Sequence, residues 1–144
     1  MNERKRVGSV TELKIMTAFI ELGYNCSQPY GDSEKYDFIV DIEGKLLRIQ
    51  CKAAVPYNDG DAFTVDLRRK DYTHEGNVFT NYSHDEIDYF ATYFDGKCYL
   101  IPLKENSTRR RFRIKPPKQN QTKYVSYARD YELEKVVNAW KNSE

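Results

Sequence analysis

Apolar residues after Ser9 recur at spacings of three and four, at Val10, Leu13, Met16, Phe19 or Ile20, and Leu22. This spacing predicts an amphipathic helix stopped by Gly23, a residue that enters the left-handed region at no steric cost. Tyr24 to Gln28 reads as a short strand ended by Pro29, followed by a Gly31-Asp32-Ser33 loop. Two β-rich runs, Tyr36 to Ile42 and Lys45 to Ala53, flank Glu43-Gly44, a dipeptide suited to a two-residue hairpin turn.

With such a turn Asp37 faces Gln50, Ile39 faces Arg48 and Asp41 faces Leu46. Phe38, Val40, Ile42, Ile49 and Cys51 then share the opposite, apolar face. A further strand is expected at Phe63 to Leu67 after a Pro56 to Asp61 loop. The polar, aperiodic stretch from there to about Tyr82 reads as loop. Ser83 to Asp88 suits a helical turn, and Tyr89 to Phe94 with Lys97 to Leu103 form a second hairpin across Asp95-Gly96. Arg111 to Ile114 reads as an edge strand. Beyond Pro116-Pro117 a helix is expected from about Lys123 to Trp140, packing through Val125, Ala128, Leu133, Val136, Val137 and Trp140. Strands mixed with helices in this order predict an α/β domain built on a central sheet.

Composition narrows the class. The 144 residues suit a single domain, and 40% hydrophobic content is enough for a core despite 31% charged residues. No apolar run is long enough to span a bilayer, and MNERKRVGS lacks the apolar stretch of a signal peptide, so the expected setting is intracellular and cytoplasmic. Cys26, Cys51 and Cys98 are odd in number and lack histidines at zinc spacing, which favours buried free thiols. The net charge of +1 hides an uneven distribution: Lys104 to Lys123 holds eight basic residues and one acid, leaving the rest of the chain at −6.

The first hairpin also carries chemistry. Hydrolysing a phosphodiester calls for a divalent cation, and magnesium takes oxygen ligands from one or two carboxylates together with neutral oxygens. Asp37 and the Gln50 amide oxygen are paired across the hairpin, and Lys52 projects from the Gln50 face. Its ammonium suits orienting or deprotonating a water and offsetting charge on the phosphate. Glu12, on the first helix, is a second acidic ligand or a water-positioning group. Ser9-Val10-Thr11-Glu12 also matches the capping box, which would turn Glu12 back onto its own helix end.

The runs GSVTELKIMTAFIELGYNCSQPYGDSEKYDFIVD, KLLRIQCK, EIDYFATYFDGKCYLIPL and PPKQNQTKYVSYARDYE together resemble the PD-(D/E)XK endonucleases, particularly the small branch that includes group I intron-encoded homing endonucleases. The resemblance implies a restriction-endonuclease-like fold with a mixed central sheet flanked by helices, over residues 1–144 as one domain. It implies Glu12 as the helix acid, Asp37 as the strand Asp, Gln50 at the D/E position and Lys52 as the active-site Lys, with Mg2+ or Mn2+ held by Asp37, Gln50 and Glu12. Tyr36 stands where the motif has Pro, and Gln50 replaces the usual acid, removing a charge that would bind the metal.

Double-stranded DNA is the expected partner, met by Arg68, Arg69 and Lys70 and by Arg109, Arg110, Arg111, Arg113, Lys115, Lys118 and Lys123. Gln119, Asn120 and Gln121 read as polar loop, and His74, His84, Asp85, Glu86 and Asp88 as caps and solvated charge rather than a metal site. A double-strand break by one small active site implies a dimer or higher homo-oligomer. The competing readings are a Holliday-junction resolvase or restriction-type nuclease, and a DNA-binding module on the same fold that has lost catalysis through Gln50.

Overall fold

A computed structural model of the chain describes residues 1–117 and 125–143. The first helix, α1, spans Glu3–Glu21 and starts a full turn and a half before the expected Ser9. Its cap is Asn2, whose side-chain oxygen accepts from the Lys5 amide at 2.9 Å. Ser9 and Glu12 are therefore interior helix residues, and the capping-box reading of Glu12 is overturned. The box forms instead at Ser83, where the Glu86 carboxylate accepts from the Ser83 amide at 3.0 Å and closes the single turn expected there. At the far end of α1, Gly23 at φ 93° turns the chain as its sequence position predicts.

The buried stripe of α1 is also displaced from the expected one. Ile15 and Phe19 are fully buried, whereas Val10, Leu13 and Ile20 are exposed. Apolar residues occupy more of this helix than one face, so periodicity alone selected the wrong stripe.

Five strands form the main sheet: β1 (Asn25–Ser27), β2 (Phe38–Ile42), β3 (Lys45–Cys51), β8 (Tyr89–Phe94) and β9 (Lys97–Pro102), in the order β1-β2-β3-β8-β9. Both hairpins have the expected register, with Ile42 opposite Lys45 and Phe94 opposite Lys97. Their turn residues, Glu43 and Gly44, then Asp95 and Gly96, all have positive φ, as a two-residue turn matched to strand twist requires. The β3–β8 pair is parallel and makes the sheet mixed. Parallel neighbours need a long crossover, and here it is a second layer of strands.

That layer contains β4 (Val55–Tyr57), β5 (Ala62–Asp66), β10 (Arg109–Arg113) and β11 (Ser126–Tyr127), in the order β11-β10-β5-β4. Part of the expected Pro56 to Asp61 loop is thus strand. The expected edge strand at Arg111 to Ile114 is instead the inner strand β10, paired to β5 and β11, because fully buried Phe112 needs cover on both sides. The expected loop up to Tyr82 is a two-stranded ribbon of β6 (Arg68–Thr73) and β7 (Gly76–Asn81). All six residues of β7 are exposed. With no apolar face to bury, these strands lack the alternation by which strands are recognised in sequence.

A short 3-10 turn, Ala128–Tyr131, leads into α2 (Leu133–Asn142), much shorter than the helix expected from Lys123; the start of that expected helix lies outside the described residues. Leu133 and Val137 are buried, with Val136 and Trp140 partly so.

The main sheet separates two cores. On one face α1 and α2 cover Phe38, Val40, Ile49, Ala91 and Leu100. On the other, the second layer covers Phe90, Tyr99 and Ile101 with Phe63, Val65 and Phe112. Phe63 is central to this side, with ring centroids 4.9 Å from Phe94, 5.1 Å from Tyr99 and 5.4 Å from Phe112. Among the described residues no helix is long and apolar enough to cross a membrane.

Candidate active site

Ladder pairing between β2 and β3 ends at Phe38 opposite Ile49, and the next residue along β2, Asp37, uses its side chain where a strand would use its carbonyl. The Asp37 amide still donates to the Ile49 carbonyl at 2.8 Å, and its carboxylate accepts from the Cys51 amide at 2.7 Å. The expected meeting of Asp37 with Gln50 therefore becomes a carboxylate seated against the Gln50–Cys51 end of β3. Beyond it the backbone of Lys52 is held on both sides: its amide donates to Ala91 at 2.9 Å and its carbonyl accepts from Thr92 Oγ1 at 2.7 Å. Thr92 is the one fully buried polar residue among those described, so a single hydroxyl inside the sheet fixes the peptide that carries the candidate lysine.

Strand alternation puts Gln50 and Lys52 on the face opposite Ile49 and Cys51. The Lys52 ammonium donates to the Arg68 carbonyl at 2.8 Å and lies 4.9 Å from the centre of the Tyr82 ring. Burial lowers its pKa from the ordinary lysine value, while the charges of Asp66 and Asp37 pull it back up. A lowered value makes proton exchange with a water easier near neutral pH.

Glu12 enters from α1, held by a 3.1 Å hydrogen bond from Gln28 Nε2. Burial, and then the negative charge of Asp37, push its carboxyl above the usual range against that hydrogen bond. Asp37 is raised too: burial outweighs the Cys51 hydrogen bonds and the attraction of Lys52. Cys51 between them is raised well above an ordinary thiol by burial and by both carboxylates, and so stays a neutral thiol. The Tyr82 phenol is pushed up to about 12 by burial and by Asp37. Glu12, Asp37 and Lys52 thus act on one another electrostatically, two acids sharing a partly desolvated space with one cation at its edge.

This donor set suits a hard divalent cation. Asp37 and Glu12 each use one carboxylate oxygen in a hydrogen bond, and among the described residues the Gln50 amide oxygen has no donor, its nitrogen making only a 3.4 Å contact to the Cys51 carbonyl. Two carboxylates and an amide oxygen are hard ligands that leave room for water. A cation between the acids would also reverse the repulsion that raises them. No cluster of three or more His, Cys, Asp and Glu is poised for a metal among the described residues; a two-acid, one-amide set is a different arrangement.

The histidine-rich turn has a structural task, as its sequence reading favoured. Arg48 reaches across from β3 and donates to the carbonyl of His84 at 2.7 Å and to both Asp88 carboxylate oxygens at 3.1 Å. The Arg48 amide adds a 2.7 Å bond to Asp88. This clamp ties β3 to the start of β8.

The basic residues divide. Arg110 is turned inward, donating to Ser126 and Tyr131 at 2.9 Å. Arg113 bonds the Lys115 carbonyl at 3.1 Å, and Lys115 pairs with Asp61 at 3.5 Å. Arg111 lies 3.5 Å over Tyr57, and Arg109 reaches Asp66 at 3.7 Å. Arg68 and Arg69 pair with Asp66 and Asp71 at 3.0 and 3.1 Å, whereas Lys70 stands over Tyr72. Lys118, Lys123 and the Gln119-Asn120-Gln121 run lie outside the described residues. Sequence reading missed Gln28, Tyr82, Thr92 and the Arg68 carbonyl, all of which are distant in the chain from the groups they hold and carry no motif.

An acid on the first helix, an Asp ending one hairpin strand and a Lys leaving the next, on a mixed sheet, match the order of a known nuclease class, and residues 1–134 match the PD-(D/E)XK endonuclease family. The chain belongs to that family. The solved structure of a bacterial homing endonuclease, I-Ssp6803I, superposes with a TM-score of 0.76 at 18% identity, over 99% of this chain and 97% of that one. The chain is also 36% identical over 69 residues to Protein 5.3 of Escherichia phage T7, a match covering 46% of this chain and 58% of the phage protein.

Proposed function

We propose that residues 1–144 form one metal-dependent endonuclease domain that cuts double-stranded DNA at defined sites, as homing endonucleases do. The observation that carries this reading is the mutual perturbation of Glu12, Asp37 and Lys52 where the first hairpin opens.

In this reading Glu12, Asp37 and the Gln50 amide oxygen hold Mg2+, with Mn2+ an alternative. When bound, the cation polarises the phosphate and lowers the pKa of a nearby water. Asp37 is oriented by the Cys51 amide, and Glu12 by Gln28. Lys52 is aimed by Thr92, the Arg68 carbonyl and Tyr82, and its ammonium holds the attacking water and offsets charge on the phosphate. Basic side chains of the ribbon and of β10 neutralise backbone phosphates. Cutting both strands takes two such sites, which makes a homo-oligomer the working form. Three free thiols fit a reducing, cytoplasmic setting.

Gln50 motivates one rival, a DNA-binding module without catalysis. Incubating the purified chain with a mixed duplex library and Mg2+, then sequencing the ends, separates the two. The proposal expects recurrent ends with the wild type and none with Asp37→Asn. Tight duplex binding with no ends at any magnesium concentration would select the binding module.

A further inference from the structure

The two faces of the β6–β7 ribbon differ in charge. Pairing puts Arg68, Lys70 and Tyr72 on one face with Asn81, Phe79 and Asn77, and Arg69, Asp71 and Thr73 on the other with Thr80, Val78 and Gly76. The first face has two cations and no acid, and Arg4 of α1 joins it by donating to the Tyr72 hydroxyl at 2.8 Å. On the second face the one cation, Arg69, is paired with Asp71 at 3.1 Å.

The first face also leaves Tyr72 and Phe79 68% and 42% exposed. Phe79 stacks 4.0 Å beneath the Arg68 guanidinium, which holds that side chain extended along the ribbon. At the base of the ribbon the Arg68 carbonyl takes the hydrogen bond of Lys52. The ribbon is thus continuous with the candidate active site, and whatever lies along it passes the lysine.

We infer that the Arg68–Lys70–Asn77 face of this ribbon enters the major groove of duplex DNA beside the cleaved bond and reads base edges there. This rests on the nuclease reading for its substrate. A two-stranded ribbon fits a groove about 12 Å wide and 8.5 Å deep, and six residues per strand span about 20 Å. Asn77, near the tip, has the paired donor and acceptor that match an adenine edge, and Lys70 neutralises a flanking phosphate. An unpaired positive face favours DNA over an acidic or apolar protein surface, and the neutral second face points away from it.

The test is duplex binding with Ca2+ in place of Mg2+, using a mixed-sequence library, so that cleavage plays no part. Lys70→Ala is expected to weaken binding about three- to tenfold and lower the salt slope by about 1. Asn77→Ala is expected to erase a preference of about tenfold at one base position of the selected sequences. Thr80→Ala, on the second face, should change neither. Without any substitution, duplexes whose major groove is filled by glucosylated 5-hydroxymethylcytosine should bind at least about tenfold more weakly, and the minor-groove ligand netropsin should not compete. Wild-type affinity and selection in both Lys70→Ala and Asn77→Ala, or netropsin displacing the protein while glucosylated DNA binds normally, would overturn the inference. Failure of the nuclease reading would show separately, as absence of magnesium-dependent ends with these binding results intact.

Discussion

Lys52→Met keeps the length of the side chain and removes its charge. The wild-type ammonium makes a 2.8 Å hydrogen bond to the Arg68 carbonyl and a 4.9 Å cation–ring contact with Tyr82. A hydrogen bond from a charged donor contributes about 1.5–3 kcal/mol, and a cation over an aromatic ring about 0.5–1 kcal/mol. Relief of the burial that lowers this ammonium, together with the apolar contact of Met with Tyr82, offsets much of that sum, leaving a net loss of about 1–2 kcal/mol. The chemical step should fare far worse: a preorganised charge aimed at a developing oxyanion is worth about 100- to 1000-fold in rate. Single-turnover cleavage at saturating Mg2+ and DNA, with thermal melting and Mn2+ titration alongside, separates these effects. A Met variant that cuts within about threefold of the wild type, or one whose rate loss is matched by lost metal affinity, would refute the assignment of Lys52 to the chemistry rather than to the metal.

Gln50→Glu adds a third carboxylate to two that already repel; it should lower apo stability by about 1 kcal/mol in melting experiments and reduce the Mg2+ needed for half-maximal cleavage by about tenfold. Asp88 is pushed up by burial, but the Arg48 hydrogen bonds prevail and hold it below its ordinary value of 3.8. That stabilisation is complete above 3.8 and is lost as pH falls through the lower folded value, so Asp88→Asn should flatten the fall in stability below about pH 4 measured by denaturant titration. Phe63→Ala removes the ring shared by Phe94, Tyr99 and Phe112 and should cost about 3–5 kcal/mol in urea unfolding, with no change in which DNA ends are made.

The hairpins were legible because turn chemistry and alternation agree. Glu43-Gly44 and Asp95-Gly96 fix the register, and Phe38, Val40, Ile42 and Ile49 fix the face. The candidate site was legible for the same reason, since the register that buries Phe38 also brings Asp37 to the end of β3. Elements whose placement depends on distant partners were not. The ribbon has no buried face to pattern. Arg109 to Arg113 reads as a solvated basic run, yet Phe112 draws it between two strands. The start of α1 was misplaced because two cap signals competed and Asn2 lay at the chain end, where few neighbours show which one prevails. Gln28 reaching Glu12, and Thr92 holding Lys52, are contacts that only the folded chain brings together.

The central claim is a cation gripped where the first hairpin opens. Electron paramagnetic titration of Mn2+ into the chain bound to a duplex with uncleavable phosphorothioate linkages tests it directly. The account predicts a tight Mn2+ that is lost in Asp37→Asn, weakened in Glu12→Gln and retained in Lys52→Met. Mn2+ binding that is the same in the wild type and Asp37→Asn would contradict it.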